Sequence, residues 1–375
     1  MTQVIPNVAV LPTQKGTGEP AAAAPAQRRR WELDALRVAA ICGVVAIHVV
    51  GMMLGNDDLA GSRRWWAAVA IDLGLVWVVP VFVMISGALV LSPRAHQRGP
   101  AVFWQKRLVR VIPALIVWHL IYLFGARAWL KGEELNRTTV VAWLLDGKVY
   151  TALYFLWLIA GLYLVAPLIA AFLHSGGRRR TAVTAAAVLG FTLLVFAASG
   201  AAALNGTPRP IALGALTMWL PYVGYFIAGW ALHRVVLPVW GVVAAAVAGV
   251  ALLAEVIWQY GHKPAYPILQ QLVPTSYLGA ATALASICVM LVATGLGHRF
   301  APGPRVSNVM KKLSDASFGV FLAHLLIFEI VRRLVPAVAE AASLSVMLAA
   351  WAVVVVASFA VSLVAARVPY LRAVF

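Results

Sequence analysis

Residues Trp31 to Val50 read WELDALRVAAICGVVAIHVV, and this stretch decides the fold. No Asp, Glu, Lys or Arg interrupts the chain from residue 38 to residue 56. The apolar run, about 35–54, is long enough to cross a bilayer, which takes roughly 20 mostly apolar residues at about 1.5 Å rise each. Further runs of this kind fall at about 70–91, 110–127, 154–173, 182–200, 214–233, 236–258, 275–297, 316–335 and 344–366. The pattern predicts an all-α, polytopic transmembrane helix bundle of about ten spans.

Composition agrees. The chain has 375 residues, of which 62% are hydrophobic and 11% charged. A water-facing domain carries about 25% charged residues. One membrane domain, 31–375, therefore accounts for the spans. Residues 1–30 are rich in Ala, Pro, Thr, Gln and Gly, lack the apolar core of a signal peptide, and are expected to form a disordered cytoplasmic tail ending in Arg28, Arg29 and Arg30.

The net charge is +17. On a soluble protein that would suggest nucleic acid. Here the basic residues sit in short clusters between apolar runs, where they set topology, so no nucleic-acid partner is expected. With the N-terminus in the cytoplasm, about two thirds of the basic residues fall on the inner side, which predicts both termini there and an even number of spans. No loop is long enough for a soluble catalytic domain, so any chemistry sits in or near the membrane. Cys42 and Cys288 lie in apolar runs without metal or disulfide spacing, and no metal site is expected.

Ionisable groups inside a span are costly and mark function by default. In the first span Arg37 and His48 are eleven residues apart, about three turns, or roughly 16.5 Å along one face. Arg37 lies near the cytoplasmic surface and His48 past the midplane. An anchoring arginine and a packing histidine would fit the same positions. Arg107 and Arg110, three apart in QKRLVRVIP, share a face at the mouth of the third span. Their guanidinium forks suit phosphate, and positive-inside anchoring fits them equally. His119, His324 and Glu329 are further intramembrane candidates for supporting roles. In the second span Pro80 predicts a kink, and Ser86-Gly87 is a small pair that admits a close helix neighbour. Trp65, Trp66 and Trp219 fit interfacial belts.

The residues that resemble a known family run along nearly the whole chain. They are ELDALR with His48 eleven residues after Arg37, VPVFVMISGALV (79–90), FWQKRLVRVIP (103–113), LYFLWLIAGLYLVAPLI (153–169), YFIAGWAL (225–232) and SFGVFLAHLLIF (317–328). In order and spacing they resemble the acyltransferase family 3 integral-membrane O-acyltransferases of bacteria, and within it stand-alone glycan O-acetyltransferases such as those acting on enterobacterial common antigen. Departures are small: Ala35 replaces the usual Gly, and Phe321-Leu322-Ala323 replaces the usual aromatic before His324.

The resemblance implies an enzyme of the bacterial cytoplasmic (inner) membrane that moves an acyl group, most simply acetyl, from cytoplasmic acyl-CoA to a hydroxyl of a glycan or lipid-linked sugar. It implies His48 and Arg37 as catalytic residues, Arg37, Arg107 and Arg110 as acetyl-CoA-binding residues, and no permanently bound cofactor. Its partners would be acyl-CoA, the acceptor and membrane lipids, with oligomeric state open. A proton-coupled secondary transporter or glycan exporter is the rival reading, since polar residues and proline breaks inside spans suit one too, and a scaffold subunit of a glycan-synthesis complex is a third.

Overall fold

A computed structural model describes residues 30–375 of the chain. The tail expected over 1–30 lies outside the described residues, Arg30 excepted. Among the described residues the regular structure is all helical. The main helices are α1 (Trp31–Val50), α2 (Arg63–Gly74), α3 (Val78–Val90), α4 (Gly99–Leu120), α5 (Tyr154–His174) and α6 (Gly177–Leu204). They continue as α7 (Val223–Leu232), α8 (Val239–Gly261), α9 (Ala280–Arg299), α10 (Pro304–Leu334) and α11 (Leu344–Ala365). Short helices, among them Pro93–His96 and Arg137–Asp146, lie in the connections.

Nine segments among the described residues are long and apolar enough to cross a membrane, and a shorter apolar one spans Leu220–Leu232. The protein is a polytopic membrane helix bundle. Each of the ten apolar runs read from the sequence contains a helix, with one shortened. The run at 214–233 keeps only α7 and the single turn Leu220–Tyr222 before it. Pro221 and Gly214 lie ahead of α7, where a missing N–H and a side-chain-free residue disfavour regular helix.

Local chemistry sets the helix ends. Glu32 and Asp34 place negative charge in the first turn of α1, against the positive end of its dipole. Ser62 caps α2 by accepting the Trp65 N–H at 3.2 Å. The kink expected at Pro80 is a full break over Leu75–Trp77 that separates α2 from α3. Pro80 then stands in the first turn of α3, where its absent N–H costs nothing. Beyond α4 the chain continues as a π-helix over Ile121–Leu130.

Burial sorts the helices. The spans built from α2–α3 and from α10 are 61% buried and α1 is half buried, so these form the centre; α6 is 17% buried and lies on the periphery. Peripheral faces carry exposed Phe191, Val250 and Val356, as a lipid-facing surface requires. α1 packs on α10, α11 and α3, α3 on α7, α8 on α9, and α10 on α11.

The α3–α7 crossing is unusually close. A Cβ built on Gly87 of α3 would fall on the carbonyl oxygen of Phe226, and one on Gly229 of α7 on that of Met84. Two glycines thus notch each helix into the backbone of the other. The small pair read at Ser86-Gly87 serves this approach through its glycine.

Candidate active site

A cavity of about 890 Å³ runs along α1 inside the bundle, and Arg37 and His48 both line it. It divides into three zones.

At the end beside Arg37 the lining is cationic. Arg94, Lys106, Arg107 and Arg110 join Arg37, and among the described residues Asp315 is the one acid in the lining. Arg94, Lys106 and Arg110 are exposed, so this end is open. Aromatic faces carry two of the guanidinium groups: Arg107 lies over Tyr163 at 5.9 Å and Arg110 over Phe318 at 5.4 Å. Arg37 is tied to α10. It donates to Ser314 Oγ at 3.5 Å, and that hydroxyl donates to Asp34 Oδ1 at 2.7 Å. Ser314 is 1% exposed and so fixes Arg37 from the protein side. His96 stacks on Phe103, a lining residue, at 4.6 Å. Burial pushes its imidazole pKa down, and the nearby His174 and Arg107 push the same way, against a hydrogen bond with the Val90 carbonyl. His96 therefore adds no charge to this end at neutral pH.

The middle is an apolar waist of Phe82, Phe155 and Phe321, with ring centroids 6.2 Å and 5.3 Å apart in that order. At the far end stands His48. Its ring lies 5.4 Å from that of His324 on α10, tilted by 36°. α1 and α10 run side by side in one direction here, since Ser314 meets Asp34 at one level and His324 meets His48 further along.

His324 is fully buried. Its Nδ1 contacts the Phe321 carbonyl at 2.7 Å and that of Val320 at 3.2 Å. Carbonyl oxygens only accept, so Nδ1 carries the proton of the neutral ring. That leaves Nε2 as a lone-pair nitrogen. It is buried and has no hydrogen-bond partner among the described residues. The two histidines are 276 residues apart in the chain, and their meeting is a product of the α1–α10 packing.

The other candidates lie elsewhere. His119 does not line the cavity. It donates from Nδ1 to the Leu115 carbonyl at 2.7 Å and accepts the Trp157 Nε1–H at 3.0 Å, so both ring nitrogens are engaged within the α4–α5 packing. Glu329 lies one and a half turns past His324. It accepts from Tyr150 at 3.4 Å and from Arg332 at 3.1 Å. Burial, followed by the Glu329 charge, pushes the Tyr150 phenol pKa up to about 12, so the phenol stays a donor.

Residues beyond those read from the sequence complete the lining. Arg94 and Lys106 were legible there only as topology charges. Ser314 and Asp315 carried a signal, an acid beside a small polar residue at the start of an apolar run. Among the described residues no group of three His, Cys, Asp or Glu side chains gathers in metal-ligand fashion.

The arrangement offers a polyanion site at an open end, an apolar passage, and a buried imidazole. The profile of a family described as an acyltransferase domain matches residues 30–367. No curated protein and no solved structure matches the chain.

Proposed function

The chain belongs to the acyltransferase family that this domain defines, and we propose that it is a membrane O-acyltransferase moving an acetyl group from cytoplasmic acetyl-CoA to a hydroxyl of an extracytoplasmic or lipid-linked glycan. The observation that carries this reading is the polarity of one cavity, with five cations at one end and His48 at the other.

In this reading the cationic end faces the cytoplasm of a bacterial cell and holds the CoA phosphates. Arg37, Arg107 and Arg110 supply guanidinium forks matched to phosphate oxygens. Arg94 and Lys106 add charge at the open rim. The uncharged pantetheine arm passes the phenylalanine waist, where apolar walls cost it little and exclude water. The thioester then reaches the level of His48, roughly 16.5 Å along α1 from Arg37.

His48 acts there as general base. The acceptor O–H breaks as its proton moves to the imidazole. A C–O bond forms at the acetyl carbonyl, the C–S bond breaks, and the thiolate takes the proton from the imidazolium. The cycle is neutral in protons. His324 stands beside His48 with an unshared lone pair and so supports the imidazolium once it forms. Glu329 is held by Tyr150 and Arg332, and its contribution is to brace α10.

The test is turnover by the purified protein in lipid with acetyl-labelled acetyl-CoA. Acceptor-dependent CoA release and a labelled glycan are expected; a transporter would release no CoA. Comparison of surface glycans from cells with and without the protein should show the missing acetyl mass. For the donor end, Arg107→Ala and Arg110→Ala are each expected to raise the acetyl-CoA Kd roughly tenfold, from loss of one charge-assisted phosphate contact at a partly solvated site. Added salt should weaken wild-type binding and shrink the difference. Unchanged Kd values in both variants would return these arginines to topology alone.

A further inference from the structure

The His48 end of the cavity is built from phenols. Tyr154 opens α5, Tyr222 ends the turn before α7, and Tyr277 lies just ahead of α9, and all three line the cavity. Tyr154 and Tyr222 lie within interaction range of each other, and Tyr277 lies within electrostatic reach of both. Tyr225 donates to the Tyr277 carbonyl at 2.7 Å and pins that segment to α7. Three elements distant in sequence thus bring their hydroxyls to one place.

Two routes put this cluster at the level of His48. Gly51, three residues beyond His48, abuts the Asp72 carboxyl, and Asp72 is in turn within electrostatic reach of Tyr277. From the other side, Tyr154 is next in sequence to Phe155, which touches Phe321, one turn before His324. Nine residues further along α5, Tyr163 stands under Arg107 at the cationic end. Among the described residues, the five lining cations and the lining acid belong to that opposite end.

From this contrast we infer that the phenol cluster is the acceptor subsite and that it selects a neutral, multiply hydroxylated ring, an uncharged sugar, over an acidic one. The inference rests on the O-acyltransferase reading and names its acceptor class. Phenol hydroxyls donate and accept, which matches the alternating demands of a sugar's hydroxyls, and their ring faces pack against its C–H surface. A uronate entering here would lose its water with no lining cation to replace it and the Asp72 carboxyl close by. The same anion would be drawn to the cationic end, where the donor's phosphates compete for it.

The test is binding to the purified protein in lipid nanodiscs, with acetyl transfer measured in parallel. The ligands are the methyl glycosides of glucose, galactose, mannose and N-acetylglucosamine, set against methyl glucuronide and methyl galacturonide. At least one neutral glycoside should bind about tenfold more tightly than either uronide. Tyr222→Phe and Tyr277→Phe should weaken that binding about threefold to tenfold and leave the acetyl-CoA KM unchanged, which also reports an intact fold. Equal or tighter uronide binding, no binding by any neutral glycoside, or a Tyr→Phe effect that falls on the acetyl-CoA KM would overturn the assignment. Sugar binding without acetyl-CoA turnover would defeat the enzymatic reading and leave the subsite standing, so the two failures are distinguishable.

Discussion

His48→Ala is expected to lower acetyl transfer by about 10²–10⁴-fold, the range for loss of a positioned general base. The side chain faces the cavity, and its aromatic-ring neighbour is His324. Removing it deletes no side-chain hydrogen bond among the described residues. The variant should therefore insert, elute as the wild type does in detergent, and bind acetyl-CoA with unchanged affinity, because Arg37 lies roughly 16.5 Å away along α1 and the other lining cations stand at its end of the cavity. His324→Leu should fall between wild type and His48→Ala: the base remains, but its neighbour's lone pair is gone. Transfer from labelled acetyl-CoA in membranes measures both variants. Wild-type activity in His48→Ala would remove the base from the scheme.

The largest effect on stability is expected at Gly87→Val and Gly229→Val. Overpacking a core commonly costs about 1–3 kcal/mol, because neighbouring side chains give way. Here the neighbours are backbone carbonyls, Phe226 for Gly87 and Met84 for Gly229. Backbone yields only if the helices separate, and α3 carries cavity-lining Val79, Phe82 and Ser86 on the same thirteen residues. Both variants should therefore be lost from membranes or elute as aggregate, and should show a lower Tm where they survive. Gly190→Ala is the matched control. No atom lies within 4 Å of a Cβ built at Gly190, so wild-type melting is expected. A stable, active Gly87→Val would show that the crossing is looser than its geometry.

Much of this was legible in the chain. Span length is a composition signal, and ten apolar runs announced the bundle. The 3.6-residue period alone put Arg37 and His48 on one face, and Arg107 and Arg110 on another. Periodicity says which residues share a face of one helix, however, and not which helix that face meets. His48 and His324 were each visible as ionisable groups in apolar surroundings, but their pairing depends on α1 lying along α10 in the same direction. His119 gave the same sequence signal as His324, and only Trp157 and the Leu115 carbonyl set it apart. Tyr154, Tyr222 and Tyr277 stand at or just outside helix ends, where belts of aromatic residues at the membrane interface are ordinary. Arg94 and Lys106 were masked in the same way by the charges that set topology.

The interlock of α3 with α7 also bears on how the protein is made. The segment Leu220–Leu232 falls well short of the roughly 20 residues that hold a helix in a bilayer unaided. Its seat is the notched face of α3, which leaves the ribosome about 140 residues earlier, a delay on the order of ten seconds at about 5–20 residues per second. During that interval α4, α5 and α6 enter the membrane while α3 keeps an unfilled groove. Biogenesis of this bundle therefore cannot be a simple succession of independent insertions. The shortest helix is a late-fitted wedge, and a nascent chain stalled before Gly229 would keep the groove of α3 open, with the cavity wall that α10 supplies still unmade.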